Sequence, residues 1–551
     1  MPKQKKENKK EEVNSKYIFV VGGVMSSVGK GVAAASIGKI LQSKGYRVAN
    51  IKCDMYVNID AGTIRPAEHG EVFIGEDGVE ADQDLGNYER FTGETCSRDN
   101  YITTGQVYQE VIRRERNLEY GGEDVEVVPD IPNEIIRRIK SCQKKNKSEI
   151  TIIELGGTVG EYQVLLFLEA VRMMKIKDPD DIFSIMVSYL PTPGLLGEQK
   201  SKPTQYAIRT LNSAGISPDF ILCRADKPVA KNIKRTISTV CSLPEERIIS
   251  APDVYSIYDI PVNFEKENFG EVVLKSMNLP VRKKNMDDWV AFSKKIKNIK
   301  KEVTIGIVGK YFNFKSCRDT YISVIESINH ASWHHNVKPN ILWLDAENYE
   351  KDAKNLKELD KIDGIIMPGG FGTRGTEGMI KAAEYARKNK IPYFGLCLGM
   401  QMLTVAFARY ALKTKNVNST EFEPKTKHPV ISTMEDQKKN ITEKNYGGTM
   451  RLGAYPAKLI KDSLSYSAYG KIDISERHRH RYEFNNNYRQ KLQDSGLRIA
   501  GVNSKRDLVE IVEVEDHPWM VGVQFHPEFN SRPLTPHPLF ADFIEVCIGK
   551  K

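Results

Sequence analysis

Gly395-Leu396-Cys397-Leu398-Gly399 sets one thiol between two glycines, at the end of the apolar run Tyr393–Leu396 and before a helical pattern. This is the G-x-nucleophile-x-G turn with cysteine in the serine position. Small flanking residues permit a tight strand-to-helix corner that lifts the side chain out of the sheet. A helix N-terminus beside the sulfur favours the thiolate, and the backbone N–H of Leu398 is placed to stabilise an oxyanion. Gln524-Phe525-His526-Pro527-Glu528 supplies partners: a strand leads into His526, a base, and Glu528 can orient its imidazole. Nucleophile, base and orienter then follow in the chain order Cys, His, Glu. Met367-Pro368-Gly369-Gly370-Phe371-Gly372 is a second glycine turn after a strand, able to bring a backbone N–H close to the thiol.

A different chemistry is written near the other end. Gly22-Gly23-Val24-Met25-Ser26-Ser27-Val28-Gly29-Lys30-Gly31 follows the β-rich run Tyr17–Val21 and opens a helix. Successive backbone N–H groups of such a turn, with the helix dipole, hold phosphate oxygens. Lys30 adds a point charge for the outer phosphates. The motif is an altered P-loop: five residues rather than four separate Gly23 from Gly29, and Gly31 replaces the usual Ser or Thr. A magnesium ligand must therefore come from elsewhere. Asp82 and Asp84 in EADQD, and Glu154 at the end of TIIEL, are the available carboxylates. Magnesium takes one or two carboxylates plus phosphate oxygens and water. A strand-terminal acid facing a phosphate turn fits the ligand crevice of an open α/β sheet.

The elements that must carry these groups alternate. Strands are predicted at Tyr17–Val21, Arg47–Lys52, Ile150–Leu155, Ile182–Ser188 and Asp219–Cys223, with a helix over 30–44. A second series begins at Val303–Val308 and continues with helix 318–334, strands Asn340–Leu344 and Gly364–Met367, helix 376–389, strand Tyr393–Leu396, a helix from about Gly399 and a late strand Val521–Phe525. Strands alternating with helices point to an α/β protein of two domains, each a mostly parallel sheet flanked by helices. The expected division is a disordered polar tail over 1–14, a first domain over 15–280, a Lys-rich linker over 281–301 and a second domain over 302–551. The polar stretch 411–447 is expected to contain a long surface loop.

Composition excludes other classes. The chain has 551 residues, 40% hydrophobic and 28% charged, which is globular and too long for one ordinary core. No run approaches a membrane span, and MPKQKKENKKEE lacks the apolar core of a secretory signal. The net charge of +9 is concentrated in the first ten residues and near 282–301, as a solvated tail and linker, and no nucleic-acid module accompanies it. Eight cysteines with no C-x-x-C pair suggest reduced, mostly buried thiols in a cytoplasmic protein.

GGVMSSVGKG, KCDMYVNIDAGTIRPAEHGEVF, DLGNYERF, ELGGTVGE and GEQKSKPTQ together resemble the amidoligase domain of the CTP synthases, over residues 16 to 280. The resemblance implies Mg²⁺ on Asp84 and Glu154, and ATP contacts at Ser27, Gly29, Lys30, Gly31, Asp84 and Arg224, the last near the adenine. It implies that Lys30 and Lys52 work on the phosphates, and that Ser26, Glu161, Lys200, Lys202 and Gln205 contact UTP or CTP. His69 and Val72 fall on an ammonia passage. Two places depart from the family pattern: Glu161-Tyr162-Gln163 replaces an Asp-Ile-Glu run, and Thr236, beside Lys234 and Arg235, replaces a triphosphate lysine.

Residues 302–540, with PGGFG, GLCLGMQ and FHPEF, resemble a class I glutamine amidotransferase. The implied roles are Cys397 as nucleophile, His526 as base, Glu528 as orienter, Gly370 and Leu398 as oxyanion donors, and Gln401, Glu421 and Arg481 as holders of glutamine. Both resemblances together imply ATP-dependent amination of UTP to CTP through a 4-phosphorylated UTP, with ammonia released from glutamine and passed between domains. They further imply GTP activation, CTP inhibition, and homotetramers or filaments. Two rivals are weaker. Another glutamine-dependent synthase, acting on a phosphorylated carboxylate, is disfavoured by the long match over DMYVNIDAGTIRP and SKPTQ. A catalytically altered regulatory or filament-forming homologue would need a broken nucleophile or metal site, and both are intact.

Overall fold

The computed structural model describes residues 15–194, 197–310, 317–434, 437 and 447–549. The expected tail over 1–14 and part of the expected loop over 411–447 lie outside them. The chain divides into two compact units. One runs to Ile59 and resumes over Asp99–Asp288; the other comprises Asp60–Arg98 and the chain from Trp289 onward.

The first unit is built on seven parallel strands: β1 (Lys16–Gly22), β2 (Val48–Asp54), β3 (Tyr101–Thr103), β4 (Ile150–Leu155), β5 (Ile182–Tyr189), β6 (Phe220–Ala225) and β7 (Ile248–Pro252), in the order β3-β2-β4-β1-β5-β6-β7. Runs such as ITIIEL are buried along their whole length, as strands covered on both faces must be. Helix α1 (Lys30–Ser43) follows β1 through the glycine turn. Register sets Lys52 of β2 beside Glu154 of β4, both at the carboxyl ends of their strands.

In the second unit, a hairpin of Val72–Ile74 and Glu80–Asp82 leads into helix α2 (Asp84–Thr92). Helix α3 (Asp287–Asn298) spans the division between the units. A nine-stranded sheet follows, of β8 (Glu302–Gly309), β9 (Lys338–Asp345), β10 (Gly364–Met367), β11 (Tyr393–Leu396), β12 (Arg451–Leu459), β13 (Asp473–His480), β14 (Leu497–Asn503), β15 (Leu508–Val514) and β16 (Met520–Val523). Its order is β9-β8-β10-β11-β16-β15-β14-β12-β13: five parallel strands, continued by antiparallel ones. Helices α4 (Ile322–His334) and α5 (Leu398–Ala411) cover it.

Three features add to the expected organisation. Residues 60–98 pack with the C-terminal unit. Their buried acids explain it: Glu80 accepts Arg479 Nε at 2.8 Å, and Glu89 accepts Arg477 Nη2 at 2.9 Å. Carboxylates so deeply buried need cationic partners, and these lie on β13. The 281–301 linker is largely helix α3, because Trp289, Phe292 and Ile296 form one buried face while Lys294, Lys295 and Lys297 stay exposed. Trp289 lies against Phe91, with ring centroids 5.5 Å apart. The 411–447 stretch contains strands Val417–Ser419 and His428–Thr433, anchored by the buried Val417, Val430 and Ile431. Six of the seven described cysteines are buried.

Candidate active sites

The thiol corner is a strained turn held by its neighbours. Cys397 has φ 49° and ψ −98°, an uncommon conformation for a residue with a side chain. Its N–H donates to Val523 O at 2.7 Å, tying the corner to β16. A Cβ on Gly399 would lie 2.0 Å from Met367 O, and one on Gly395 would lie 2.6 Å from the Gly399 carbonyl carbon. Only glycine fits at either flank. Gly399→Ala is therefore expected to destabilise the protein by about 3 kcal/mol, the upper range for overpacking. Urea unfolding reads this, and an unchanged midpoint would refute it.

His526 and Cys397 leave the carboxyl ends of the adjacent strands β16 and β11. His526 N–H donates to Arg477 O at 2.8 Å, and its Nδ1 bonds Glu528 Oε1 at 2.7 Å. Its ring stacks on Phe529 at 5.3 Å. His526 Nε2 makes no hydrogen bond to oxygen or nitrogen among the described residues. Burial opposes charge on this imidazole, but Glu528 and the Cys397 sulfur outweigh it and hold the pKa up at about 10. A Cβ on Gly369 would meet His526 Cε1 at 2.9 Å and Cys397 Cβ at 3.7 Å, so the second glycine turn packs on both groups.

These groups open on a cavity of about 70 Å³, lined by Cys397, His526, Glu528, Gly369, Gly370 and Arg479 and closed by Pro66, Glu71 and Val72. Leu398 is the first residue of α5, so its N–H lies in the turn that intrahelical bonding leaves open.

In the first unit the glycine turn behaves as its sequence requires. Gly29 takes φ 84° ahead of α1, and Lys30 Nζ donates to Gly157 O at 2.8 Å across the turn. A Cβ on Gly22 would lie 2.8 Å from that carbonyl and 2.9 Å from Lys30 Nζ. Lys52 Nζ pairs with Glu154 Oε1 at 2.9 Å and stands 3.8 Å from Asp54 Oδ1. Beside the turn is a cavity of about 300 Å³, lined by Val28, Gly29, Ala33, Leu222, Arg224 and Tyr255 among others. Apolar walls with one arginine at the rim suit a flat heteroaromatic ring. Arg224 is oriented by Asp253 at 2.8 Å.

Known proteins match both halves. Residues 16–279 match the family model described as CTP synthase N-terminus, and residues 316–546 match the one described as glutamine amidotransferase class-I. The CTP synthase of Clostridium kluyveri is 47% identical over 98% of this chain and 99% of its own length. That of Herpetosiphon aurantiacus is 48% identical over 97% of this chain and 99% of its own length. The chain belongs to the CTP synthase family.

A solved structure of the glutaminase domain of Trypanosoma brucei CTPS with bound acivicin is 37% identical, covering 45% of this chain and 95% of that one, with a TM-score of 0.42. As a CTP synthase family member, the protein is a glutamine-hydrolysing ligase that aminates UTP to CTP at the expense of ATP. Among the described residues no helix is long and apolar enough to cross a membrane.

The remaining expected contact residues are unevenly placed. Ser26 and Ser27 are exposed on the phosphate turn, and Gly31 is buried in the first turn of α1. Glu161 is folded back on its own loop, accepting Thr158 N–H and Oγ1, both at 2.9 Å. Lys200 pairs with Glu198 at 2.6 Å, Lys202 is exposed, and Gln205 donates to Ser201 Oγ at 3.0 Å. Thr236 is exposed, Lys234 turns to Glu267, and Arg235 is exposed. Asp84 begins α2 in the second unit, its N–H bonded to Asp82 Oδ1 at 2.8 Å. His69 Nδ1 lies 3.3 Å from Asp82 Oδ2.

On the glutaminase side, Gln401 does not line the thiol cavity. Its amide donates to Tyr482 O at 3.0 Å and to Gln524 Oε1 at 3.3 Å, and Gln524 in turn donates to Cys397 Sγ at 3.6 Å. Glu421, whose pKa burial raises, accepts Gly372 N–H at 3.3 Å. Arg481 bonds Gln437 Oε1 at 2.6 Å and lines a neighbouring cavity of about 760 Å³. Arg479, Gln524 and Glu71 were not expected at the site. Only Arg479, inside RHRHR, had a visible signal, and that strip also reads as basic surface.

Proposed function

We propose that this CTP synthase family member runs its reaction in three steps on the residues named above. The Cys397 sulfur attacks the side-chain amide carbon of glutamine, forming a C–S bond. Gly370 and Leu398 N–H groups stabilise the oxyanion. His526 delivers its proton to the departing nitrogen, which leaves as neutral ammonia, and Glu528 holds the imidazolium in place. Water, giving its proton to His526, then cleaves the resulting glutamyl thioester, releasing glutamate and the Cys397 sulfur. Gln401, through Gln524, positions the thiol, while Glu421 and Arg481 hold the substrate's charged ends. Ammonia then passes His69 and Val72 to the first unit. There Lys30 and Lys52 offset charge as the ATP γ-phosphoryl group moves to O4 of UTP, and ammonia displaces phosphate at C4.

Ser27, Gly29, Lys30, Gly31, Asp84 and Arg224 are assigned to ATP, and Ser26, Glu161, Lys200, Lys202 and Gln205 to UTP and, as inhibitor, CTP. Glu154, a buried hard oxygen donor at the carboxyl end of its strand beside Lys52, suits magnesium. Asp84 and Glu154 would hold the ion, which when bound neutralises phosphate charge. GTP activation, homotetramers that stack into filaments, and a cytoplasmic setting complete the reading.

One observation carries the coupling. The cavity at Cys397 is walled by Pro66, Glu71 and Val72, which belong by sequence to the CTP synthase N-terminal match. The amidotransferase cavity is thus closed by synthetase sequence, which supports direct delivery of ammonia away from bulk water. The test supplies UTP, ATP and Mg²⁺ with either glutamine or ammonium salt and reads CTP. Formation from both supports the reading, and glutamine hydrolysis without CTP from either source refutes it.

The His526 setting gives a pH expectation. The imidazolium persists below about 10, so glutamine hydrolysis should hold through mildly alkaline pH and decline as pH rises through that value. In Glu528→Gln the principal opponent of burial is gone, so the proton is lost at lower pH. The alkaline limb should move down and the rate near neutrality fall about 100-fold. Glutamate release against pH reads both, and an unmoved limb would remove Glu528 from this role.

A further inference from the structure

Glu71 lines the same cavity as Cys397, His526 and Glu528, and the three steps above leave it without a task. It immediately precedes the hairpin strand Val72–Ile74, and its N–H donates to Asp319 O at 2.9 Å. Ser323, in the first turn of α4, donates its N–H to the two carboxylate oxygens at 3.1 and 3.3 Å and its hydroxyl to one of them. Arg90 Nη1 reaches that hydroxyl at 3.2 Å. The carboxylate is therefore fixed at a helix N-terminus, where negative charge is favoured. Charged and titratable groups facing it are Arg90 from α2, Glu528 from the turn after β16, and His526 and Arg479 along the cavity wall.

The cavity of about 70 Å³ has room for a molecule the size of water, hence for ammonia. Ammonia offers three N–H donors and needs an acceptor once it leaves the thiol. Two carboxylates line the wall. Glu528 is bonded to His526 through Oε1, while its Oε2 makes no hydrogen bond among the described residues. Glu71 stands on the wall that Pro66 and Val72 form, the side toward which ammonia must move. We propose that Glu71 receives the ammonia released at Cys397, its ionised carboxylate accepting an N–H hydrogen bond and guiding the molecule along the wall of Pro66 and Val72. No covalent bond changes in this step. The proposal deepens the ammonia-transfer reading and rests on it. Burial pushes the Glu71 pKa up to about 7 against the lowering effects of Ser323 and Arg90, with Glu528 adding to the rise. The group thus becomes an acceptor-only carboxylate as pH rises through neutrality.

The readout is CTP formed per glutamate released from glutamine, measured from about pH 6 to about pH 8. In the native protein the ratio should climb through about pH 7. In Glu71→Gln it should be flat with pH and about tenfold lower at the alkaline end, the worth of one charge-assisted hydrogen bond. A native ratio and pH profile in that variant overturns the proposal. Ser323→Ala decides the matter if Glu71→Gln fails to fold. It keeps the carboxylate but removes a bond that lowers its pKa, so the midpoint should move to higher pH, and an unmoved midpoint overturns the proposal. Failure of the underlying reading looks different: the native chain would then make no CTP from glutamine at any pH.

Discussion

Cys397→Ala abolishes CTP formation from glutamine while CTP formation from ammonium salt continues. The expected loss is at least ~10³-fold, the scale on which removal of a covalent nucleophile acts. The reason is positional. The corner that carries Cys397 is tied to β16 through Val523 and packed so closely at Gly395 and Gly399 that no neighbouring residue can shift into its place. The phosphate turn and the Lys52–Glu154 pair belong to the other unit, so the substitution leaves their local contacts untouched. Parallel assays with the two nitrogen sources read the result. Equal loss of both activities would show that the two units do not divide the work as assigned.

Lys30→Ala stops synthesis from either nitrogen source. Lys30 Nζ stands between the glycine turn and Gly157 O, 2.8 Å from that carbonyl, where it can exchange the carbonyl for a phosphate oxygen. Removing one preorganised charge from phosphoryl transfer costs about 10²–10³-fold. Glutamine hydrolysis measured without nucleotides should persist, because Lys30 belongs to a different unit from Cys397 and His526. Normal CTP turnover in the variant would take Lys30 out of the mechanism.

The altered glycine turn and the thiol corner were legible before any coordinates, because each imposes a steric rule on consecutive residues. A positive φ at Gly29 and the absent Cβ atoms at Gly395 and Gly399 are demands that only certain letters meet. The parallel strands were legible for a similar reason. Strands covered on both faces must be apolar throughout, and ITIIEL, GIIM and YFGL are all buried. The His526–Glu528 bond follows from the same local logic, since the two residues are two positions apart and share one turn.

What lay beyond the sequence were relations between distant segments. Residues 60–98 belong with the C-terminal unit because Glu80 and Glu89 find their arginines on β13, some four hundred residues away. Lys-rich composition concealed helix α3, whose sparse Trp289, Phe292 and Ile296 share a face only once the chain is wound. Gln401 bonds Gln524 rather than lining the thiol cavity, and Glu71 entered that cavity from the synthetase sequence. Local sterics and periodicity are properties of neighbours in the chain, so the sequence alone determined the corners, the strands and the chemistry they carry. The pairing of buried charges and the walls of a cavity depend on which distant segments meet, and that only the tertiary structure decided.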